Sequence, residues 1–333
     1  ATGLYLSHSA SYVTTGDGYA LGYGAGCQFK NMEFQEVTLS PAPHGYAIET
    51  EGVKALTAAG ARFYNNLGER FMERYDPERL EMTSRARLVR GIAREIREGR
   101  GAFMDATHLN PEETLTHLEK IERARKDWRK ERIPYLPALH TFLGGIVITP
   151  ETETGVEGLM AAGEVAGFGG CYGADRVTGA IGSCYVWGHR AGRHAAIHVL
   201  EAAGTPVAVP DPGAVRAEEE RLGRLRAEGA SRTGPTPNEV RRKVRETAEK
   251  ELFVYRNRAG LQAAVDEMVR IRREVLPTAR VVTPREVVEW QEVWNLALTG
   301  ELVARAAHLR TESRGQHQRE DCPEQNDREW LRW

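Results

Sequence analysis

The sequence predicts a chain of the α/β class that passes into an all-α region, and three observations carry that reading. Between Pro137 and Gly192, short apolar runs end in glycines and lead into a small-residue helix, the alternation expected of an α/β domain. Residues 84–101, SRARLVRGIAREIREGRG, place Leu88, Val89, Ile92 and Ile96 on one side of an amphipathic helix. Residues 214–310 carry helix signals only, including two starts of one design, Thr236-Pro237-Asn238-Glu239 and Thr283-Pro284-Arg285-Glu286. In each start, Thr suits the N-cap, Pro the first helical position, and Glu the reach back to the cap.

Taken in order, LYLS near the start reads as a strand. TTGDGYALGYGAG reads as a helix, with Thr15 or Asp17 able to cap it. NMEFQEVTL is a further strand. Residues 46–133 read as an inserted unit that holds the amphipathic helix, which Gly99 and Gly101 end. A second helix is expected over residues 111–133, with Pro111 near its start and the charged run RARKDWRKER read as a solvated face. EAAGTPVAVPDPG (residues 201–213), with three prolines, reads as a linker. In the last long helix Trp290, Trp294, Leu298 and Leu302 fall four apart and are expected to form a bundle core. The glycines of GYGAG (residues 22–26) follow a predicted helix rather than a strand, so they make a weak phosphate loop.

Composition narrows the class. The chain has 333 residues, 41% hydrophobic and 28% charged, enough for two or three domains. A net charge of −2 argues against a nucleic-acid partner. Cys27, Cys171, Cys184 and Cys322 form no C-x-x-C pair, so no metal or iron–sulfur site is expected, and a reducing compartment such as the cytoplasm suits them. No apolar run approaches the roughly 20 residues that span a bilayer.

The chemistry concentrates in HTFLGGI, GLMAAGE, YGADRVTG and WGHRAG. Glycine-terminated turns let a backbone approach a ligand and aim N–H groups at it. Glu164, closing GLMAAGE, is expected where a strand leaves its sheet, the usual ligand edge of an open α/β sheet. These segments, with GERFMERY and the tail RTESRGQHQRED, resemble the flavoprotein subunit family of succinate dehydrogenase and fumarate reductase, which includes L-aspartate oxidase. The resemblance covers most of the chain.

That resemblance implies a partial FAD-binding, Rossmann-like domain (residues 1–45 and 134–205), an inserted α+β capping domain (46–133) and a C-terminal helical bundle (206–333). It implies FAD as cofactor, held by Asp17, Gly163, Glu164 and Ile181. It implies a small carboxylate substrate, bound by His140, Arg176 and Thr50, and proton transfer through Arg90 with Glu51 and Lys54 as relay. An iron–sulfur electron-transfer subunit or a complementary flavin-domain chain is the implied partner. The chain opens on ATGLYLS, and the family's G-x-G-x-x-G unit is expected to lie ahead of that point. Some positions depart from the family pattern. Thr38 stands where the family has a second substrate-binding His, with His44 nearby as a replacement. Lys54 stands for an Arg, and TGAI follows the loop Arg. A carboxylate other than succinate or fumarate fits these changes, and a non-catalytic scaffold is the alternative reading.

Overall fold

The computed structural model describes residues 1–11, 13–42, 52–110, 112, 127–167, 180–201 and 211–331. The first half is mixed. A 3-10 turn at Thr2–Leu4 precedes α1 (Asp17–Gly24), β1 (Phe29–Lys30) and β2 (Gln35–Pro41). Then come α2 (Gly52–Ala58), β3 (Arg62–Tyr64), α3 (Met72–Tyr75), α4 (Arg85–Arg97) and β4 (Phe103–Asp105). The long β5 (Ile133–Phe142) and short β6 (Gly145–Ile146) lead to α5 (Ala180–Glu201). The second half is helical: α6 (Pro212–Gly229), α7 (Pro237–Glu251), α8 (Arg258–Arg270), α9 (Pro284–Leu309) and the short α10 (Asp327–Trp330).

One antiparallel sheet runs in the order β2-β5-β4-β3, and β1 pairs with β6. In β5 the first residues pair with β4 (Ile133 opposite Met104), and the rest with β2 (Phe142 opposite Gln35). One strand therefore links β3 and β4 to β2 in a single sheet. β2 is buried along its whole length, as expected of a strand covered on both faces.

Several expected elements differ. LYLS is no strand; it turns after Leu4, and the chain meets β5 only just beyond it, where His8 bridges to Leu139 and Ser7 and Ser9 bond the Leu139 backbone. The chain's first turn is consumed in packing Leu4 and Tyr5 into the core. α1 is capped by Gly16, whose φ of +86° suits glycine, and Asp17 is its first residue, so neither Thr15 nor Asp17 is the cap. NMEFQEVTL opens on a turn, with Asn31 at φ +58°, and is strand only from Gln35. The helix expected over 111–133 lies mainly outside the described residues, but Trp128 falls in a turn and Ile133 opens β5. Its charged run is not only a solvated face, because Trp128 within it is buried. The GLMAA run is loop, not strand: Ala166 bridges to Gly145 and Met160 to Glu153.

The helical half keeps close to expectation. Thr236 and Thr283 both close reciprocal capping boxes with Glu239 and Glu286. Ser84 caps α4, accepting from Arg87 N–H, and Gly99 and Gly101 follow it at positive φ. α9 packs against α7, α8 and α1. It is therefore buried on a wider arc than one stripe. Val293, Leu296, Ala297 and Val303 lie deeper than Trp290 and Trp294, which sit at its edge. The Trp290 indole donates to Leu276 O at 2.8 Å.

Candidate active site

Two glycines bring the first group together. A Cβ on Gly144 would lie 2.2 Å from Asn31 O, and one on Gly145 2.2 Å from Val165 O. Backbones from three segments thus meet where only glycine fits; these residues serve chain-to-chain packing rather than a ligand. Val165 is held beside β6 by Ile146 N–H, which donates to its carbonyl at 2.8 Å. Gly163, at φ +79°, turns the chain so that Glu164 Oε1 accepts from Phe142 N–H at 3.1 Å.

Phe142, which Glu164 holds, lies two residues along β5 from His140. His140 is the half-buried member of a strand end whose neighbours Leu139 and Thr141 are buried. Its Nδ1 lies 2.8 Å from Ser9 Oγ, and Ser9 N–H donates to Leu139 O at 2.8 Å, so the loop after Leu4 fixes the imidazole. Beneath Glu164, the buried Tyr19 hydroxyl donates to Gly144 O at 3.3 Å and more weakly to Glu164 O. Burial first, and the Glu164 charge second, push that phenol well above its ordinary range, so it stays a donor.

Asp17 accepts from Thr15 Oγ1 and Asn295 Nδ2, both at 2.8 Å, and its carboxylate lies in the first turn of α1. A negative group there complements the helix dipole. A Cβ on Gly16 would lie 2.4 Å from Thr299 Oγ1, so the start of α1 is pressed against α9. A cleft of about 550 Å³ opens beside Asp17, walled by α1, α6 and α9. A second, of about 410 Å³, lies between α4, β5 and α7. Neither is bordered by Arg90 or His140, so cavity size alone does not mark the candidate site.

Arg90 projects from α4 toward the far end of the chain. Its Nη1 donates to Gly315 O at 2.8 Å, and Tyr255 Oη donates to Arg90 O at 2.8 Å. Gly315 takes φ +54°, in a turn that Arg314 braces through Glu312 (2.7 Å) and Asp327 (2.6 Å).

Lys54, on α2, donates to Thr83 O and, at 3.5 Å, to Glu81 O. Burial, with a smaller push from Arg85, lowers its ammonium from the ordinary lysine range. Ile181 stands exposed in the first turn of α5. Thr38, at the position of the family's second histidine, is buried in β2 opposite Ala138. A buried mid-sheet threonine supplies no cation for a carboxylate. Thr50, Glu51 and Arg176 lie outside the described residues, as does His44.

The structure thus sets Gly163 and Glu164 against Phe142, two residues along β5 from His140. It ties Asp17 to α9 and anchors Arg90 to the tail. Ser9, Tyr19, Tyr255, Asn295 and Gly315 were not singled out in the sequence. Each reaches its partner over more than a hundred residues, which leaves no local pattern to find. Among the described residues no cluster of His, Cys, Asp and Glu could hold a metal, and no helix is long and apolar enough to cross a membrane.

A mixed α/β half followed by a helical half is the arrangement of a flavoprotein, as comparison with known proteins shows. Residues 1–180 match the family model described as FAD binding domain, and residues 241–333 that described as fumarate reductase flavoprotein C-term. The chain belongs to the fumarate reductase and succinate dehydrogenase flavoprotein family. It is 34% identical to one of the subunits of fumarate reductase (CoM/CoB) from Methanothermobacter marburgensis, over 99% of this chain and 60% of that one. It is 30% identical to the succinate dehydrogenase flavoprotein subunit of Rickettsia bellii, over 98% of this chain and 58% of that one. Among solved structures, Mycobacterium smegmatis Sdh1 in complex with UQ1 matches at TM-score 0.78 and 28% identity, over 97% of this chain and 55% of that one. The chain thus spans about three-fifths of the length of the curated relatives it matches.

Proposed function

We propose that this chain supplies the substrate-binding and proton-transfer groups of an FAD-dependent reductase or dehydrogenase acting on a small, dicarboxylate-like substrate. The observation that supports the reading is the Phe142–Glu164 hydrogen bond, which ties the loop bearing the cofactor-side acid to β5, two residues along the strand from the substrate-side His140. The residues present fit one end of FAD: Asp17, Gly163 and Glu164 border turns at the start of α1 and the loop before α5, and Glu164 is 38% exposed. Among the described residues there is no strand–glycine–helix turn for the pyrophosphate. When bound, the flavin supplies a hydride acceptor or donor.

The protein's own groups do the rest. His140, oriented by Ser9, and Arg176 bind carboxylate oxygens; Arg does so with two parallel N–H groups. Thr50 adds a hydroxyl donor. Arg90 holds the proton delivered to the substrate carbon. A guanidinium gives up a proton reluctantly, so Glu51 and Lys54 return it, and a lysine lowered by burial does this more readily than an arginine. Electrons pass to or from an iron–sulfur partner chain on the cytoplasmic side.

The test is to co-express the chain with the part of the M. marburgensis relative outside the match and assay fumarate-dependent oxidation of a reduced viologen dye. Arg90→Gln should lower kcat by about 10³-fold while FAD is retained, within the usual worth of a general acid. His140→Ala should raise KM. Full turnover by Arg90→Gln would remove the assignment.

A further inference from the structure

His140 carries two ring nitrogens, and in a neutral imidazole one donates while the other accepts. Which does which decides what the side chain can offer an anion. The loop ahead of α1 makes that choice.

Residues 7–9 lie along β5 as a short parallel bridge. Leu139 N–H donates to Ser7 O and Ser9 N–H donates to Leu139 O, both at 2.8 Å, with His8 opposite Leu139. On the other edge, Leu139 pairs with Val37 of β2. The strand is thus held on both sides at this point, and the register puts Ser9 beside His140. Ser9 Oγ lies 2.8 Å from His140 Nδ1 and 3.3 Å from Leu139 O.

A serine hydroxyl has one proton to give. Given to Leu139 O, it would leave Nδ1–H to donate to Oγ. That arrangement stretches an O–H···O bond to 3.3 Å, beyond the roughly 2.5–3.0 Å usual for one. Its acceptor would be a carbonyl that already receives Ser9 N–H. Given to Nδ1, the same proton makes a bond of 2.8 Å, and Leu139 O keeps its amide donor. Distance favours the second arrangement, which puts the ring's own proton on Nε2. Among the described residues Nε2 has no hydrogen-bond partner, and the ring is only half-buried.

We propose that Ser9 is a positioning residue: its hydroxyl donates to His140 Nδ1, fixes the Nε2–H tautomer, and so makes His140 an uncharged donor to one carboxylate oxygen of the substrate. This rests on the flavoprotein reading above and adds the place of the proton and the residue that sets it. Without the hydroxyl, the ring is free to turn or to take the other tautomer. That tautomer presents an Nε2 lone pair to the anion, and the two repel. The loss should therefore appear in substrate binding more than in turnover.

The experiment has two readouts. The full chain is labelled with nitrogen-15 histidine, and long-range proton–nitrogen correlations are recorded at pH 8.5, where an ordinary imidazole (pKa about 6.5) is neutral. His140→Gln identifies the His140 signals. An acceptor-type Nδ1 and a protonated Nε2 are expected in the parent and in Ser9→Thr, with averaging of the two tautomers in Ser9→Ala. A protonated Nδ1 in the parent overturns the proposal, as does a Ser9→Ala ring identical to the parent's. Should Ser9→Ala fail to fold, the parent's tautomer decides alone. The second readout is the fumarate assay of the co-expressed protein described above. Ser9→Ala should raise KM about 10-fold, at the upper end of what one hydrogen bond contributes, with a smaller effect on kcat. Ser9→Thr should restore the parental KM. A fall in kcat at parental KM overturns the positioning role. The expected tautomer without fumarate-dependent turnover leaves the hold of Ser9 on His140 standing and removes the flavoprotein reading. Turnover with a parental KM in Ser9→Ala does the reverse.

Discussion

Lowering the pH from 7 to 5 should cost this protein about 2 kcal/mol through one side chain, His317. The imidazole is fully buried. Its Nδ1 lies 2.8 Å from Arg256 Nη1 and so accepts, and its Nε2–H faces Arg310 O at 3.4 Å. The Phe34 ring meets it edge-on at 6.1 Å. Protonating Nδ1 would break the Arg256 bond and add a cation near the guanidinium groups of Arg256, Arg310 and Arg319. Burial first, then Arg256, holds the imidazole down to about 2.

The unfolded chain binds that proton near pH 6.5 and the folded one does not, so stability is present above 6.5 and lost progressively as pH falls toward 2. At about 1.4 kcal/mol per pH unit, the interval from 6.5 to 5 gives about 2 kcal/mol. Glu95 and Asp321, both held down to about 2, begin to contribute only nearer pH 4. Glu249, pushed up by burial, acts in the opposite direction, so the useful quantity is a difference between proteins. Urea midpoints should fall more steeply from pH 7 to 5 in the parent than in His317→Gln, which keeps an acceptor for Arg256. The His317 ring resonances should stay flat from pH 8 to 4.5. Parallel urea curves, or a ring that titrates near 6.5, would refute the reasoning.

Glu95→Gln should cost about 3 kcal/mol in urea unfolding, because the buried carboxylate holds Arg100, Arg74, Asn65 and Tyr75 together. Thr236→Ala and Thr283→Ala should each cost about 1 kcal/mol, and the double variant their sum, since each removes one capping box from a separate helix start. Gly144→Ala should drop the thermal midpoint sharply, its Cβ lying 2.2 Å from Asn31 O. Gly24→Ala, at a helical position with nothing within 4 Å, should raise stability by up to about 1 kcal/mol.

What the sequence made legible was local. The capping boxes at Thr236 and Thr283 and the face of α4 each depend on residues within about one helical turn of one another. So do the positive-φ glycines at 99 and 101. What it hid was long-range. LYLS has strand composition, yet Leu4 and Tyr5 are drawn into the core and no full ladder forms. RARKDWRKER reads as solvent-facing because nine of its ten residues are polar or Ala; the tenth, Trp128, is a core residue. The stripe on α9 had the right period but too narrow an arc, since α1, α7 and α8 surround that helix. At the candidate site, Asp17, Glu164, His140 and Arg90 could be named from motifs. The groups that orient them could not, because Ser9, Asn295 and Gly315 become neighbours only on folding.

The tail motif shows why its charged residues are architecture rather than surface. Glu312 is fully buried and accepts from Arg310, Arg314 and Asn326 N–H. Arg319, also buried, donates to Ala307 O and Arg310 O at the end of α9 and pairs with Asp321. Between these anchors the chain must reverse tightly, and Gly315 provides the left-handed residue for it. The Gly315 carbonyl in that reversal is the one that receives Arg90. A backbone acceptor cannot be altered by changing its own side chain. The turn, held by its ion pairs, is thus one anchor of the Arg90 guanidinium. Loosening Glu312 should displace Arg90 without touching it. A segment more than 220 residues away in sequence thus holds the side chain assigned to proton transfer.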